Sequence, residues 1–208
     1  QAAALARWQE RGWPGAKDEA WRFTRLAALD KLSLRPADAS LGNGAGKLPA
    51  HTLPAGARVI HFHNGMLVAK SLNNLPKGVS ARLVDEDDLS AIVDLAPANH
   101  PVTDLSVAAM TSGLSLDVAA GAKVTAPIIL MFTGNSCSVS THPVVLLRVG
   151  KGAQAVIAEW HNTKVGLSAP VMAIDIADKA RLDYAKIQQD SATTTHLAAT
   201  GIKMGEAA

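Results

Sequence analysis

Two histidines that lie two positions apart are the first candidates for chemistry in this chain. His61 and His63 fall in a β-prone run, and since alternate residues of a strand point to one side, both imidazoles are expected on one face. Imidazoles placed in this way can serve as metal ligands. No Cys, Asp or Glu accompanies them at ligand spacing, so we interpret them as ordinary, partly exposed strand residues. Whether the chain binds a metal is left open.

A carboxylate and an imidazole form a second same-face pair. Glu159 and His161 flank Trp160 in another β-prone run, so the two polar side chains should point to one side and the indole to the other. Such a pair could transfer protons in acid–base catalysis. Because nothing nearby in the sequence completes a nucleophilic or metal-binding set, we predict no catalytic role for it.

Three further features are weaker candidates. Cys137 lies in a polar loop and should be accessible, but an iron–sulfur cluster usually needs four protein ligands, so a single thiol is interpreted as incidental. The glycine-rich stretch Gly42 to Lys47 lacks the spacing of a phosphate-binding loop. Asp183, Tyr184 and Asp190 are the nearest approach to a carbohydrate-cleaving site, and we interpret them as solvated positions. We therefore predict no catalytic and no cofactor-binding residue.

Composition excludes several classes of partner. The chain has 208 residues, 48% apolar and 18% charged, with a formal net charge of +2. No dense run of Lys and Arg is present, so neither nucleic acid nor an anionic membrane is an expected partner. The most apolar segment, residues 126–132, is far too short to cross a bilayer. A lone cysteine cannot form an internal disulfide, which favours the reducing cytoplasm.

Residues 1–57 are predicted to form N-terminal helices and a linker. The first helix should break at Gly12 and Pro14, and a second, amphipathic helix is expected from Asp18, which could serve as its N-cap. From Pro36 to Gly56, proline, glycine and asparagine recur at a density typical of a linker or loop.

Residues 58–112 are predicted to form a small α/β segment. An Asn-Gly pair between two β-prone runs predicts a hairpin over residues 58–69. A further strand is expected over residues 79–84. The acid-rich stretch that follows, residues 85–88, suits the first turn of a helix, and residues 104–112 are expected to form another short helix.

Residues 113–208 contain an internal repeat. Each copy has an apolar leader followed four positions later by alanine, at intervals of 27 to 31 residues: Val118 and Ala122, Val149 and Ala153, Ile176 and Ala180, Met204 and Ala208. In the first three copies a second β-prone run follows the turn. Strand, tight turn and strand, stacked coil on coil, predict a mainly β chain built on a β-solenoid, or parallel β-helix.

The last copy of the repeat reaches Ala208 where the others would begin their outgoing strand. An uncapped coil leaves backbone groups unpaired and apolar side chains exposed. We therefore expect this part, residues 113–208, to be a truncated β-helix, or its final coil to be completed by a partner.

The segment KDEAWRFTRL, residues 17–26, resembles the N-terminal signature of SufD-type members of the SufB/SufD family, which serves iron–sulfur cluster assembly. The family pattern is roughly KDExWxYTxL, and Phe23 stands where tyrosine is usual. Residues 59–67, 104–128 and 150–161 are similar to further family blocks, in the same order. The resemblance covers most of the chain. We interpret the rings of Trp21 and Phe23 as anchors that bury apolar area against a neighbouring surface.

The resemblance implies a right-handed parallel β-helix flanked by helical regions, in a scaffold subunit that is not itself an enzyme. It also implies pairing with a SufB-like subunit through the β-helix, and with the SufC-like ATPase through a C-terminal region that would follow Ala208. A histidine and a cysteine that the family uses late in the β-helix would also follow Ala208. We expect no cofactor bound by this segment, the iron–sulfur cluster being assembled transiently by the whole complex.

Two other functions remain open at this stage. A β-helical polysaccharide-active enzyme would cleave pectin-like polymers and would carry a secretion signal in the complete gene. A self-associating structural solenoid would form homo-oligomers, such as a homodimer of the isolated chain, without any partner.

Overall fold

Strands of three sheets alternate along the chain and wind it into a β-solenoid of about three turns, so the predicted mainly β fold is confirmed. The computed structural model describes residues 1–15, 17–24, 26, 29, 34–38, 40–41, 53–97 and 100–208, with 39% strand and 21% helix. The α-helices are α1 Ala2–Arg11, α2 Glu86–Leu95 and α3 Pro101–Ala109. The strands are β1 Arg35–Pro36, β2 Arg58–His63, β3 Met66–Leu67, β4 Val79–Leu83, β5 Gly113–Val118, β6 Ile128–Gly134, β7 Val139–Thr141, β8 Val144–Val149, β9 Gln154–Thr163, β10 Leu167–Ser168, β11 Val171–Ile176, β12 Arg181–Gln188, β13 Thr195–His196 and β14 Ala199–Met204.

Each coil contributes one strand to each sheet. We call β5–β7 the first coil, β8–β10 the second and β11–β13 the third. The sheets run in the orders β14-β11-β8-β5-β4, β12-β9-β6-β2-β3 and β1-β7-β10-β13, and the pairings between successive coils are parallel. Parallel pairing of strands one coil apart is what stacking of the predicted repeat requires.

The repeat found in the sequence sets the register of the coils. Val118 pairs with Val149, Val149 with Ile176, and Ile176 with Met204, so the four apolar leaders form one column. The position three residues after each leader has a positive φ: 71° at Gly121, 68° at Gly152, 56° at Lys179 and 56° at Ala207. A left-handed residue turns the chain sharply toward the second strand, which explains why glycine occupies two of these positions.

The predicted hairpin is confirmed, with Asn64 and Gly65 at its turn at φ values of 47° and 79°. The hairpin also extends the solenoid, because β2 pairs in parallel with β6. Likewise β4 pairs antiparallel with β5. These pairings cross the boundary drawn at residue 113, and the division of the chain into three parts stays a prediction.

Helices α2 and α3 cover the outer face of the sheet that contains β8 and β11. Ile92 of α2 and Val102 of α3 are fully buried in a cluster with Leu146 and Val171. The helix predicted from the acid-rich turn is confirmed: Asp85 is its N-cap, in a capping box with Asp88. The helix predicted over residues 104–112 spans Pro101–Ala109, because proline takes the first helical position.

The N-terminal region departs from its prediction. The first helix and its end at Gly12 are confirmed. The helix expected from Asp18 is wrong over residues 17–24, which hold only a 3-10 turn at Glu19–Trp21. Backbone N–H groups there bond carbonyls three residues back, as in successive turns, and Asp18 accepts from the Gly15 N–H instead of capping a helix.

Trp21 and Phe23 differ in burial. The Trp21 ring is half-buried, with its centroid 5.3 Å from that of His100. Phe23 is 87% exposed, and the guanidinium carbon of Arg22 lies over its ring, 4.5 Å from the ring centroid. The anchor role predicted for Phe23 is therefore wrong, because the turn directs its ring to solvent, whereas Trp21 does contact a neighbouring element.

None of the helices in the described ranges has the length and apolar character that a membrane crossing requires.

Candidate functional site

The interior of the solenoid changes from apolar to charged along its axis. In the first coil, Leu130 and Phe132 of β6 are buried in the core. One coil further on, the residues in register with them are Glu159 and His161 of β9. Lys186 of β12 pairs with Glu159 in turn. We call Glu159, His161, Thr163, Tyr184, Lys186, Asp190 and His196 the interior cluster.

Glu159 is the centre of the interior cluster and has no exposed surface. Its Oε2 lies 2.8 Å from His161 Nε2 and 3.5 Å from Lys186 Nζ. Its Oε1 accepts a hydrogen bond from the Tyr184 hydroxyl. A buried carboxylate is stable only when paired and hydrogen-bonded, and these three partners meet that requirement.

His161 is held from three sides. Its ring stacks on Phe132 with 4.5 Å between centroids and 5° between planes, and contacts the ring of His196 edge-on at 4.7 Å. Burial lowers the pKa of His161, and the hydrogen bond with Glu159 opposes that shift without cancelling it. The neutral imidazole is therefore the form that this environment favours.

Asp190 and His196 form the second pair of the interior cluster, 3.0 Å apart between Oδ2 and Nδ1. Asp190 Oδ1 accepts hydrogen bonds from the Thr163 backbone N–H at 2.8 Å and its hydroxyl at 2.7 Å. Although burial opposes the effect, the contacts with His196 and Thr163 lower the pKa of Asp190 to about 2.

The Glu159–His161 pair has the contact that an acid–base pair needs, and the prediction that these side chains share a face is confirmed. Neither side chain has any surface exposed to a substrate, because both point into the core beside Ile157. Ionisable side chains buried inside the solenoid can link neighbouring coils or take up protons. It is not positioned to act on a large substrate from outside.

The partners of this pair escaped the sequence analysis, although a signal was available. Glu159 and Lys186 each lie ten positions after the leader of their copy, Val149 and Ile176. The repeat therefore places them in one column. Tyr184 and Asp190 were predicted to be solvated, which is wrong: Tyr184 is half-buried against Glu159 and the Asp190 side chain is 3% exposed. Asp183 is exposed beside Arg181, as predicted.

His61 and His63 share one face as predicted, but they are 4% and 3% exposed, so the expectation of partial exposure is wrong. Both rings reach the hydroxyl of Thr133, His61 Nε2 at 2.7 Å and His63 Nδ1 at 2.9 Å. Burial, with a smaller effect of His63, lowers the pKa of His61 to about 4. Among the residues that the structure describes, no group of three or more His, Cys, Asp or Glu is placed to hold a metal ion.

Two candidates from the sequence remain. Cys137 is an exposed free thiol, as its loop composition predicts. The stretch Gly42 to Lys47 lies outside the described residues.

The winding of the strands defines the chain as a parallel β-solenoid protein, with polar chemistry enclosed in its core. The family model described as "SUF system FeS cluster assembly, SufBD core domain" matches residues 132–208. The match supports the resemblance to the SufB/SufD family and a role in iron–sulfur cluster assembly. A comparison with curated proteins gives no match. The matched residues run from β6 to β14 and include the whole interior cluster.

Proposed function

We propose that this chain is part of a SufD-like, non-catalytic scaffold subunit that binds a SufB-like subunit through its β-helix. The observation that carries the proposal is the coincidence of the SufBD core domain match with the solenoid coils. The N-terminal signature at residues 17–26 favours SufD over SufB. In this proposal the complex works in the cytoplasm and assembles the iron–sulfur cluster as its product, with no cofactor resident in this segment.

The distribution of polar groups supports a scaffold better than an enzyme. A stacked solenoid presents repeated strand surfaces along its length, which suits contact with another solenoid. The acid–base groups that could move protons, Glu159 and His161, are enclosed. Asp183, the exposed one of the three carbohydrate-site candidates, forms an ion pair with Arg181.

The SufC-like ATPase is a proposed partner of the full-length protein. The family resemblance implies that it binds a region outside the β-helix.

Co-expression with the SufB-like and SufC-like subunits of the same genome tests the proposal. The tagged full-length protein should retain both subunits through affinity purification and gel filtration under reducing conditions. A folded protein that retains neither subunit would refute the scaffold role. Light scattering of the protein without partners separates a third outcome, since persistent homo-oligomers that exclude the SufB-like subunit would favour a self-associating solenoid.

A further inference from the structure

The polar contacts of the interior cluster join the second coil to the third. Tyr184 and Lys186 of β12 reach Glu159 of β9, and Asp190 reaches Thr163 at the end of β9. His196 of β13 contacts the ring of His161. Between the first and second coils, by contrast, paired positions of the interior are apolar: Ile128 pairs with Ile157 and Leu116 with Leu147, all fully buried in one hydrophobic cluster. Cohesion of the third coil therefore depends on charge as well as on apolar area.

The hydrogen bonds fix where His161 carries its proton. The Glu159 carboxylate can only accept, so His161 Nε2 must be the ring nitrogen that bears the hydrogen. The lone pair is then on Nδ1. That atom is buried and has no hydrogen-bond partner in the structure. A second proton can enter the ring only at Nδ1, where no acceptor receives it.

Neighbouring positive charges add to the free-energy cost of protonating His161. The groups facing His161 are Glu159 on its own strand, Lys186 and Tyr184 on β12, Asp190 after β12, and His196 on β13. Lys186 already compensates Glu159, and His196 lies beside Asp190. A positive charge on His161 is therefore repelled by Lys186 and by any charge on His196, in an interior where such repulsion is weakly screened.

We propose that the interior cluster is an acid-sensitive latch, in which proton uptake at His161 Nδ1 loosens the third coil from the second. Water must enter to solvate the imidazolium, and the entry point is the contact between β9 and β12. The first and second coils, joined by apolar side chains, stay paired.

The direction of the pH dependence follows from burial. The pKa of His161 is lowered in the fold, so its contribution to stability is fully present above the unfolded value of 6.5. That contribution is lost as the pH falls from 6.5 toward the folded pKa. Uptake of one proton on opening raises the opening constant by up to about tenfold per pH unit in this window. Asp190 stays charged there, because its pKa is about 2.

Hydrogen–deuterium exchange of the full-length protein tests the latch. Amides of β12, after correction for intrinsic exchange, should lose about fivefold of their protection between pH 6.5 and 5.5. Amides of β8 should lose less of theirs. The His161→Gln variant keeps a donor for Glu159 but cannot titrate, so its β12 protection should not change with pH. The His142→Gln variant is the matched control, since His142 is another buried histidine, with a pKa lowered to about 4 by burial, outside the cluster.

The latch is overturned if the β12 amides lose no protection on acidification of the wild type, or lose as much in His161→Gln as in the wild type. Equal loss of protection in the amides of β8 would overturn it as well. If His161→Gln does not fold, ring NMR of the wild-type protein decides the question. Protonation of His161 at an unshifted pKa, without any change in the β12 amides, would also overturn it.

Discussion

Asp88 Oδ1 lies 2.9 Å from Arg148 Nη2, although the two residues are 60 positions apart in the sequence. Asp88 belongs to the first turn of α2, is 1% exposed, and also bonds Arg82 of β4 at 2.5 Å. One carboxylate thus ties a helix to two strands of the solenoid. Although burial opposes the effect, the bonds to Arg82 and Arg148 lower the pKa of Asp88 to about 2.

Asp88→Asn is expected to lower the free energy of unfolding by about 2 kcal/mol at pH 7, because two arginines lose the negative charge of the carboxylate that they share. The lowered pKa means that this contribution is present above pH 3.8 and lost as the pH falls toward 2. Denaturant titrations at several pH values should show a smaller acid-dependent loss in the variant than in the wild type. Asp87→Asn, an exposed acid on the same turn, is the control. Equal effects of the two variants would contradict this account.

Trp21→Ala is expected to destabilise the N-terminal segment locally by roughly 1–2 kcal/mol, because a half-buried indole leaves its contact with His100. Tryptic cleavage within residues 17–24 should accelerate, while the repeats stay folded by circular dichroism. Phe23→Ala removes a ring that is 87% exposed, so its cleavage rate should match that of the wild type. Unchanged protease resistance of Trp21→Ala would show that the ring does not hold the segment in place.

Gly201→Ala is expected to lower the free energy of unfolding by about 1–3 kcal/mol, as overpacking does. A Cβ at this position of β14 would come within 1.9 Å of the Leu95 carbonyl oxygen, at the end of α2. Thermal unfolding of the variant and the wild type measures this loss of stability. Gly15→Ala is the matched control, because a Cβ there meets no atom within 4 Å. If both variants melt together, the close approach of α2 to β14 is not real.

Lys186→Met and Glu159→Gln are expected to be coupled, with an interaction free energy of about 1–3 kcal/mol in a double-mutant cycle. The reason is that Lys186 is the cation nearest to a fully buried carboxylate, at 3.5 Å. Chemical denaturation of the four proteins gives the coupling. Lys151→Met removes an exposed lysine 3.9 Å from Asp178 and should cost little. Strict additivity of the two changes would mean that the interior ion pair has no energetic role.

Local and repeating features of the fold were predictable from the sequence. The Asn64–Gly65 turn and the acid-rich start of α2 depend on neighbouring residues alone, so their conformations could be predicted from the local sequence. The column of leaders from Val118 to Met204 was also predictable, because coils of equal length stack with equivalent repeat positions in register. The second N-terminal helix was mispredicted. The helical spacing of its apolar residues did not reveal that the chain around Trp21 forms a 3-10 turn.

The candidate site was only half predictable. The sequence paired Glu159 with His161, since alternation along one strand fixes which side chains share a face. The partners of that pair come from the next coil, and their burial depends on the closure of the solenoid around them.

By itself, then, the sequence determined the repeat, its register and its turns, because these follow from local conformation and period. Only the tertiary structure decided that β2 joins the solenoid sheet and that the buried Glu159 and His161 of β9 meet Lys186 of β12. The physical reason is that parallel pairing and burial are contacts between residues distant in the chain, and the free energy of such contacts depends on everything packed around them.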